Sequence, residues 1–369
     1  MATRILIAGG GTGGHVYPAL AIIDSLKSLQ PVELLYIGGK GGVENEIVPR
    51  YGLPMKTIWI SGFARSLSLK NLLFPLKVVV SLVQSLIILR RFRPAVAVGC
   101  GGYVTGPILW MAARLGIPVL IQEQDVHPGV TSKLLAGSAN TICLSFEAAS
   151  QHFSANREKL VVAGNPVRAE VNRGDRVASL RQWQLDPQKL TLFVFGGSQG
   201  SRAINLAMAG IWKDLRDKHA VQLIWQSGPG QFADVEKRMD NRSDMVLLPY
   251  VEDMAAAYAA ADIIICRAGA SSLAELAMVG KAAVLVPYPH AAGDHQARNA
   301  QTMAEAGAAL MVREGDGWEQ ELKIAIEKLI ENEALRRKQG ESWAEMAKPE
   351  AGQTIAAEII KLSEHGTGR

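Results

Sequence analysis

The residues best placed to do chemistry in this chain lie in four segments rich in glycine and small side chains. The first, Gly9-Gly10-Gly11-Thr12-Gly13-Gly14-His15, follows the apolar run Ile5-Leu6-Ile7-Ala8 and precedes a helical stretch expected to carry Pro18 in its first turn. Glycines let the backbone turn tightly and approach a ligand closely. A helix N-terminus adds N–H groups and a partial positive charge that suit a phosphate or a developing anion. Gly196-Gly197-Ser198-Gln199-Gly200-Ser201 repeats this arrangement with added hydroxyls, and Gly99–Pro107 again lies between an apolar run and a helical one. The fourth segment, Arg267–Glu275, follows Ile263–Cys266 and opens a helix. Glu275 sits about one turn inside that helix, where a carboxylate can accept two hydrogen bonds from a ribose diol. Ser271 capping the helix and Glu275 complementing its dipole would account for the same residues.

Gly9, Gly11 and Gly14 satisfy the dinucleotide fingerprint G-x-G-x-x-G, which also needs an acid at the end of the second strand to hold the ribose. Here that strand runs into Gly38-Gly39-Lys40-Gly41-Gly42, with no acid before Glu44. The missing acid weighs against a nicotinamide-dependent oxidoreductase. No Walker A pattern and no Asp-x-Asp metal motif occurs, so neither a cofactor nor a metal is expected. His15, at the N-terminus of the first helix, is the candidate general base; a capping or purely structural histidine is the alternative.

These segments need strands and helices to hold them, and short apolar runs alternate with amphipathic stretches along the chain. Strands are expected at Ile5–Ala8, Glu33–Ile37, Lys56–Ile60, Val96–Val98, Val119–Gln122 and Thr141–Leu144, then at Leu192–Phe195, Gln222–Trp225, Val246–Leu248, Ile263–Cys266 and Ala283–Val286. The intervening stretches read as helices, which makes this an α/β protein with parallel sheets covered on both faces. Both halves begin with strand, glycine turn and helix. The expected domains are 1–164, 165–343 and a C-terminal helical tail, 344–369, that packs back on the first. The join falls at Gly164-Asn165-Pro166-Val167-Arg168, followed by loop-like sequence to Gly174.

The composition fits this. The 369 residues are 48% hydrophobic and 20% charged, which describes folded domains rather than disorder. Three separated cysteines, Cys100, Cys143 and Cys266, indicate neither a disulfide framework nor a zinc cluster and fit a reducing cytoplasm. The N-terminus reads as a first buried strand rather than a signal peptide. A net charge of +4 permits attraction to anionic lipid or phosphate, and no aromatic-basic pattern points to nucleic acid.

Taken in order, Gly9–His15, Gly101-Gly102-Tyr103, Gly164–Arg168, Gly196–Gly200 and Arg267–Glu275 resemble the MurG family of bacterial peptidoglycan glycosyltransferases, in glycosyltransferase family 28. The resemblance runs over nearly the whole chain. It implies a GT-B architecture, two Rossmann-like domains facing across a cleft. It also implies inverting transfer of N-acetylglucosamine from UDP-N-acetylglucosamine to the 4-hydroxyl of the muramyl sugar of lipid I, giving lipid II. His15 would be the base. Ser198, Gln199 and Arg168 would lie near the diphosphate or nucleotide, and Val251 matches a backbone contact to the uracil. Ala270, Ser271, Ser272, Leu273, Ala274 and Glu275 would line the diphosphate and ribose. His295 and Gln296 match the sugar-recognising pair, and Thr12, Gly13 and Gly14 would approach the donor sugar. Helix N-termini would stand in for a metal. Two positions depart from the family pattern. Asp125 stands where asparagine is usual and cannot donate from an amide, and His295 stands where glutamine is usual.

The most apolar stretch, Leu72–Leu89, is followed by Arg90, Arg91 and Arg93 and preceded by Arg65 and Lys70. Lys77, Ser81, Gln84 and Ser85 interrupt it at helical spacing, on one narrow stripe. A fully buried core helix is one reading. Given the polyprenyl acceptor that the resemblance implies, peripheral docking on an anionic membrane surface, at the cytoplasmic face of the plasma membrane, is the expectation. Other cell-wall synthesis proteins are further candidate partners. The alternatives are another UDP-sugar-dependent GT-B enzyme, such as an epimerase or glycolipid synthase, and a non-catalytic nucleotide-sugar sensor or scaffold.

Overall fold

A computed structural model describes residues 2–62, 73–168, 170–239 and 244–366. The chain divides into two compact units, 1–167 with 349–369, and 168–348. The first runs β1 (Thr3–Ala8), α1 (Gly13–Leu29), β2 (Val32–Gly39), α2 (Glu44–Arg50), β3 (Met55–Ile58), α3 (Phe74–Phe92), β4 (Val96–Gly99), α4 (Thr105–Arg114), β5 (Val119–Glu123), α5 (Val130–Leu135), β6 (Thr141–Leu144) and β7 (Leu160–Val162). The second runs α6 (Arg176–Gln182), β8 (Thr191–Phe195), α7 (Arg202–His219), β9 (Gln222–Gln226), α8 (Phe232–Arg238), β10 (Met245–Leu248) and α9 (Met254–Ala260). It continues through β11 (Ile263–Cys266), α10 (Ala270–Val279), β12 (Ala282–Leu285), α11 (His295–Glu305), β13 (Leu310–Met311), α12 (Trp318–Glu331) and α13 (Glu333–Met346). A last helix, α14 (Ala351–Gly366), belongs to the first unit.

Each unit is built on one parallel sheet, seven strands in the order β3-β2-β1-β4-β5-β6-β7 and six in the order β10-β9-β8-β11-β12-β13. These are the doubly wound orders of a Rossmann-like fold, in which the winding direction reverses at the first strand. The strands are mostly apolar because both faces are covered. In β1, Ile5 and Ile7 join the core that contains α1 and α14, while Leu6 and Ala8 join the opposite core with α3 and α4. The reversals fall between β1 and β4 and between β8 and β11. All four segments singled out in the sequence follow those four strands.

Three local features differ from the sequence reading. α1 begins at Gly13, so Pro18 lies inside the helix rather than in its first turn. The opening turn is tightened by Thr12 O accepting from both His15 N and Val16 N, at 3.1 and 3.4 Å. A short helix that the sequence reading did not set out, α6, follows the loop-like stretch ending at Gly174, and Asp175 caps it through Ala178 N at 2.7 Å. Strands β7 and β13, three and two residues long, are too short to leave a period in the sequence.

α3 overturns the reading of a fully buried core helix. Its polar stripe is the side that faces the protein: Ser81 and Ser85 are fully buried and bond back to Val78 O and Ser81 O. Gln84 accepts from Trp59 N at 2.8 Å, and Lys77 donates to Ser61 at 2.8 Å. The exposed side is apolar. Leu76, Val79, Val83 and Ile87 are 51–59% exposed and recur at helical spacing. Arg65 and Lys70 lie outside the described residues. No described helix is long and apolar enough to cross a membrane.

α14 packs along α1, with Ile355, Ala356 and Ile359 buried beside Val16, Leu20 and Ile23. Ile355→Ala should therefore lower the unfolding free energy of the first unit by about 2–5 kcal/mol. A urea melt reads this directly, and an unchanged midpoint would remove α14 from the core.

Candidate functional site

In the first unit the loops after β1 and β4 meet. Gly101 and Gly102 both adopt positive φ, at 92° and 84°, and a Cβ on Gly102 would run into the Gly10 carbonyl. His15 packs its ring against Gly101. Its Nδ1 lies 2.8 Å from Gly10 O and 3.3 Å from Thr12 Oγ1. A carbonyl can only accept, so Nδ1 carries the proton and Nε2 carries the lone pair of the neutral ring. Thr12 is exposed as the N-cap of α1, and Gly13 and Gly14 are half-buried in its first turn.

The first glycine turn is not an open anion site. Glu44, at the start of α2, buries its carboxylate under the loop. Oε2 accepts from Gly11 N and Oε1 from Gly39 N, each at 2.9 Å. Gly10, Gly38 and Gly42 leave the space that the carboxylate fills. The expectation of N–H groups held ready for a phosphate is thereby corrected at Gly11. The acid absent from the end of the second strand folds back from five residues further on, onto the loop instead of a ribose.

Beside these loops, β5 ends in a buried polar network. Gln124 Nε2 donates to Cys100 O and to Gln122 Oε1, at 2.7 and 2.6 Å, and Gln122 Nε2 donates to Asn165 Oδ1 at 3.1 Å. Glu123 is buried, and that burial pushes its carboxyl up to about 7, against the hydrogen bond from Ser132 and with the help of the Asp125 charge. Asp125, half-buried, donates its backbone N–H to Glu123 Oε1 at 3.2 Å.

In the second unit the loops after β8 and β11 are joined through Arg267. Its buried guanidinium donates to Ser201 Oγ at 2.6 Å, to Val286 O and Pro287 O at 3.1 and 3.2 Å, and pairs with Glu314. Ser201 is in turn the N-cap of α7. The glycine turn itself is pressed against the loop after β9: a Cβ on Gly200 would meet the Ser227 carbonyl, and one on Gly228 the Gln199 carbonyl. Ser198 is half-buried and Gln199 exposed at the tip.

α10 begins at Ala270 with Gly269 as its N-cap, so Ser271 does not cap it; Ser271 and Ser272 lie in its first turn and stay half-exposed. Leu273 turns inward, while Ala274 and Glu275 remain partly exposed. Tyr258, wholly buried, donates to Glu275 Oε2 at 2.7 Å. Desolvation raises the Glu275 carboxyl above its usual range, opposed by that hydrogen bond and by the Arg168 charge. Val251 donates its N–H to Gln226 Oε1 at 2.9 Å. At α11, His295 is half-buried, and Gln296 Oε1 accepts from Tyr288 N at 2.9 Å, which fixes the orientation of the Gln296 amide.

The structure thus gathers Thr12–His15 and Asp125 at one sheet's switch point. Ser198, Gln199 and Ala270–Glu275 gather at the other's. Glu44, Gln226 and Tyr258 escaped the sequence reading as site residues, and Arg267 was named there only as the start of its segment. Glu44 alone left a signal there, as a carboxylate directly after a glycine-rich strand end.

Comparison with known proteins bears on the chemistry. Residues 5–144 match the glycosyltransferase family 28 N-terminal domain, and residues 191–355 match its C-terminal domain. A Bacteroides fragilis protein named UDP-N-acetylglucosamine–N-acetylmuramyl-(pentapeptide) pyrophosphoryl-undecaprenol N-acetylglucosamine transferase is 39% identical, over 98% of this chain and 96% of its own. The crystal structure of Acinetobacter baumannii MurG is similar at a TM-score of 0.77 and 28% identity, covering 97% of this chain and 99% of that one. A Neisseria meningitidis UDP-GlcNAc 2-epimerase bound to UDP-GlcNAc reaches a TM-score of 0.66 at 13% identity, covering 98% of this chain and 100% of its own, which speaks for fold alone.

Glu123 yields a pH test. Its folded value near 7 lies above the ordinary 4.5, so between those values the folded protein holds the extra proton. Stability from this group is complete below that window and is lost as pH rises through it, on the order of 3 kcal/mol. Glu123→Gln cannot ionise, so its urea midpoint should fall less than the wild type's between pH 5 and 8. Equal falls would show that Glu123 does not titrate there.

Proposed function

The chain belongs to glycosyltransferase family 28, and from that membership we infer that it moves N-acetylglucosamine from UDP-N-acetylglucosamine to the 4-hydroxyl of the muramyl sugar of lipid I, giving lipid II. The observation that carries this reading is the end-to-end kinship with a transferase named for that reaction. An inverting transfer to an alcohol needs one base and a stabiliser for the leaving diphosphate. His15 Nε2 is the base, with Nδ1 held by Gly10 O. It takes the hydroxyl proton as the acceptor oxygen attacks the anomeric carbon and the bond to the diphosphate breaks.

The donor belongs to the second unit. The N-terminus of α10, with Ser271 and Ser272, and the loop of Ser198 and Gln199 supply partial positive charge and hydrogen bonds to the departing UDP. Glu275, steadied by Tyr258 and Arg168, takes the ribose hydroxyls, and the Val251 carbonyl takes the uracil edge. Gln296 and His295 read the sugar, and Asp125 accepts from a sugar hydroxyl. A nicotinamide enzyme is disfavoured, because the Glu44 carboxylate already holds the Gly11 N–H where a pyrophosphate would lie.

The apolar side of α3 favours peripheral attachment to the cytoplasmic face of the membrane that carries the polyprenyl acceptor. Leu76, Val79, Val83 and Ile87 lead toward Arg90, Arg91 and Arg93 at its C-terminal end. α4, which packs on α3, adds Trp110 beneath the Arg114 guanidinium, and α5, packed on α4, adds Val130 and Leu134. An apolar strip rimmed by cations suits anionic lipid.

A transfer assay on a lipid I analogue should favour UDP-N-acetylglucosamine over UDP-glucose and UDP-N-acetylgalactosamine; no transfer from any donor would sink the reading. His15→Ala should cut kcat by roughly 10²–10⁴ while the donor KM moves less than about threefold. For the membrane, Val83→Glu with Ile87→Glu should abolish flotation with anionic vesicles. Wild-type protein that stays off such vesicles in low salt would refute the attachment.

A further inference from the structure

The hydrogen bonds on either side of the first glycine turn share one peptide group. Gly11 N–H, which donates to Glu44 Oε2 at 2.9 Å, and Gly10 C=O, which lies 2.8 Å from His15 Nδ1, belong to the same amide. We propose that Glu44, the Gly10–Gly11 peptide and His15 form a relay in which the carboxylate polarises the amide and the amide raises the basicity of His15. Glu44 is then a positioning residue. It does for this histidine, through one peptide, what a directly bonded carboxylate does for the histidine of a hydrolytic triad.

Three features favour the relay over a carboxylate that merely fills space. First, Glu44 is held at both oxygens by backbone donors, Gly11 N and Gly39 N, while Asn45 Nδ2 ties the entry of α2 to Gly39 O and Gly42 O at 2.8 and 2.9 Å. The carboxylate is fixed in line with the amide rather than free to rotate. Second, hydrogen bonds at the two ends of one amide strengthen each other, because withdrawing N–H density toward an anion increases the negative charge on the carbonyl oxygen. Third, Tyr36 and Cys100, which pack against Gly9, are neutral at working pH. Burial holds the Tyr36 hydroxyl well above its usual range and pushes the Cys100 thiol up to about 12. Gln124 and Thr12 carry no charge, and Glu123, beyond Gln124, is half-protonated near neutrality.

The relay rests on His15 being the base of the transfer. In that step the acceptor O–H bond breaks and its proton passes to Nε2. The oxygen bonds to the anomeric carbon, and the carbon–oxygen bond to the diphosphate breaks, its electron pair leaving with UDP. The peptide keeps its N–H proton and Glu44 stays an unprotonated carboxylate throughout. Their part is to stabilise the positive charge that the ring acquires, which a neutral side chain at position 44 could not do.

The test has a readout that does not depend on turnover. In wild-type protein labelled with ¹⁵N-glycine and ¹⁵N-histidine, the Gly11 amide should shift with pH at the midpoint of the His15 ring, and His15→Ala should remove that shift. In Glu44→Gln the His15 midpoint should fall by about half a unit or more. Its kcat should fall about tenfold or more, with the donor KM within about threefold. A Gly11 amide that ignores His15 in the wild type would overturn the relay even if Glu44→Gln failed to fold. So would a folded Glu44→Gln with unchanged midpoint and kcat. A purely structural glutamate would lower the melting temperature and leave the midpoint where it was. If the protein transferred no sugar at all, the function reading would fail while the amide titration still judged the relay.

Discussion

Backbone laid directly on backbone is the constraint on which both candidate crevices depend. Gly102 sits on the Gly10 carbonyl, Gly200 on the Ser227 carbonyl and Gly228 on the Gln199 carbonyl, each with no room for a Cβ. Positive φ at Gly101, Gly102, Gly197, Gly200 and Gly228 lets the chain enter and leave these contacts. Side chains between such loops would push the peptide groups away from the strand ends where a ligand is held. The glycines are therefore first a packing requirement of adjoining loops and only then a means of approaching a ligand.

On that shared framework the two units diverge in charge. In the first, a carboxylate from the next helix has entered the turn and taken the Gly11 and Gly39 N–H groups. In the second, an arginine occupies the corresponding neighbourhood, bonded to the N-cap serine of α7 and to the carbonyls after β12. A loop that already contains an anion is poorly suited to another; in the second unit the guanidinium is matched by Glu314, and the N-termini of α7 and α10 beside it are the feature that suits a diphosphate. Under the proposed function, one duplicated architecture would serve as an acid–base half and an anion-binding half, with the difference set by buried side chains.

The strand-turn-helix units, both parallel sheets and the four crevice segments were legible because each is encoded locally, by an apolar run ending in small residues. Their placement at the switch points came only with the strand order, which pairing across each sheet decides. What stayed hidden were contacts set by tertiary closure. Glu44 reads as an ordinary first-turn acid of a short helix until β2 and β1 pair and bring Gly39 and Gly11 to it. Gln226 and Tyr258 look like strand and helix filler, and only the fold reveals that one occupies the Val251 N–H and the other a Glu275 oxygen. Pro18 misled for a related reason: the rule that places proline in a first turn assumes a regular opening, and α1 opens with a tightened turn at Thr12.

α3 shows how pattern and environment can part company. The stripe Lys77, Ser81, Gln84 and Ser85 obeys helical periodicity, and periodicity says which residues share a face without saying which face is wet. Here the small serines satisfy their hydroxyls on the helix's own carbonyls, so burying them leaves no polar group unpaired and lets the helix lie close to its neighbours. Gln84 repays its own burial by accepting the Trp59 N–H. The apolar residues gain only part of what burial offers in water: burying a valine, leucine or isoleucine is worth about 1.5–3 kcal/mol, and four of them forgo about half of it. An apolar strip of this kind, with arginines at its end, is what the proposed attachment to anionic lipid would cover.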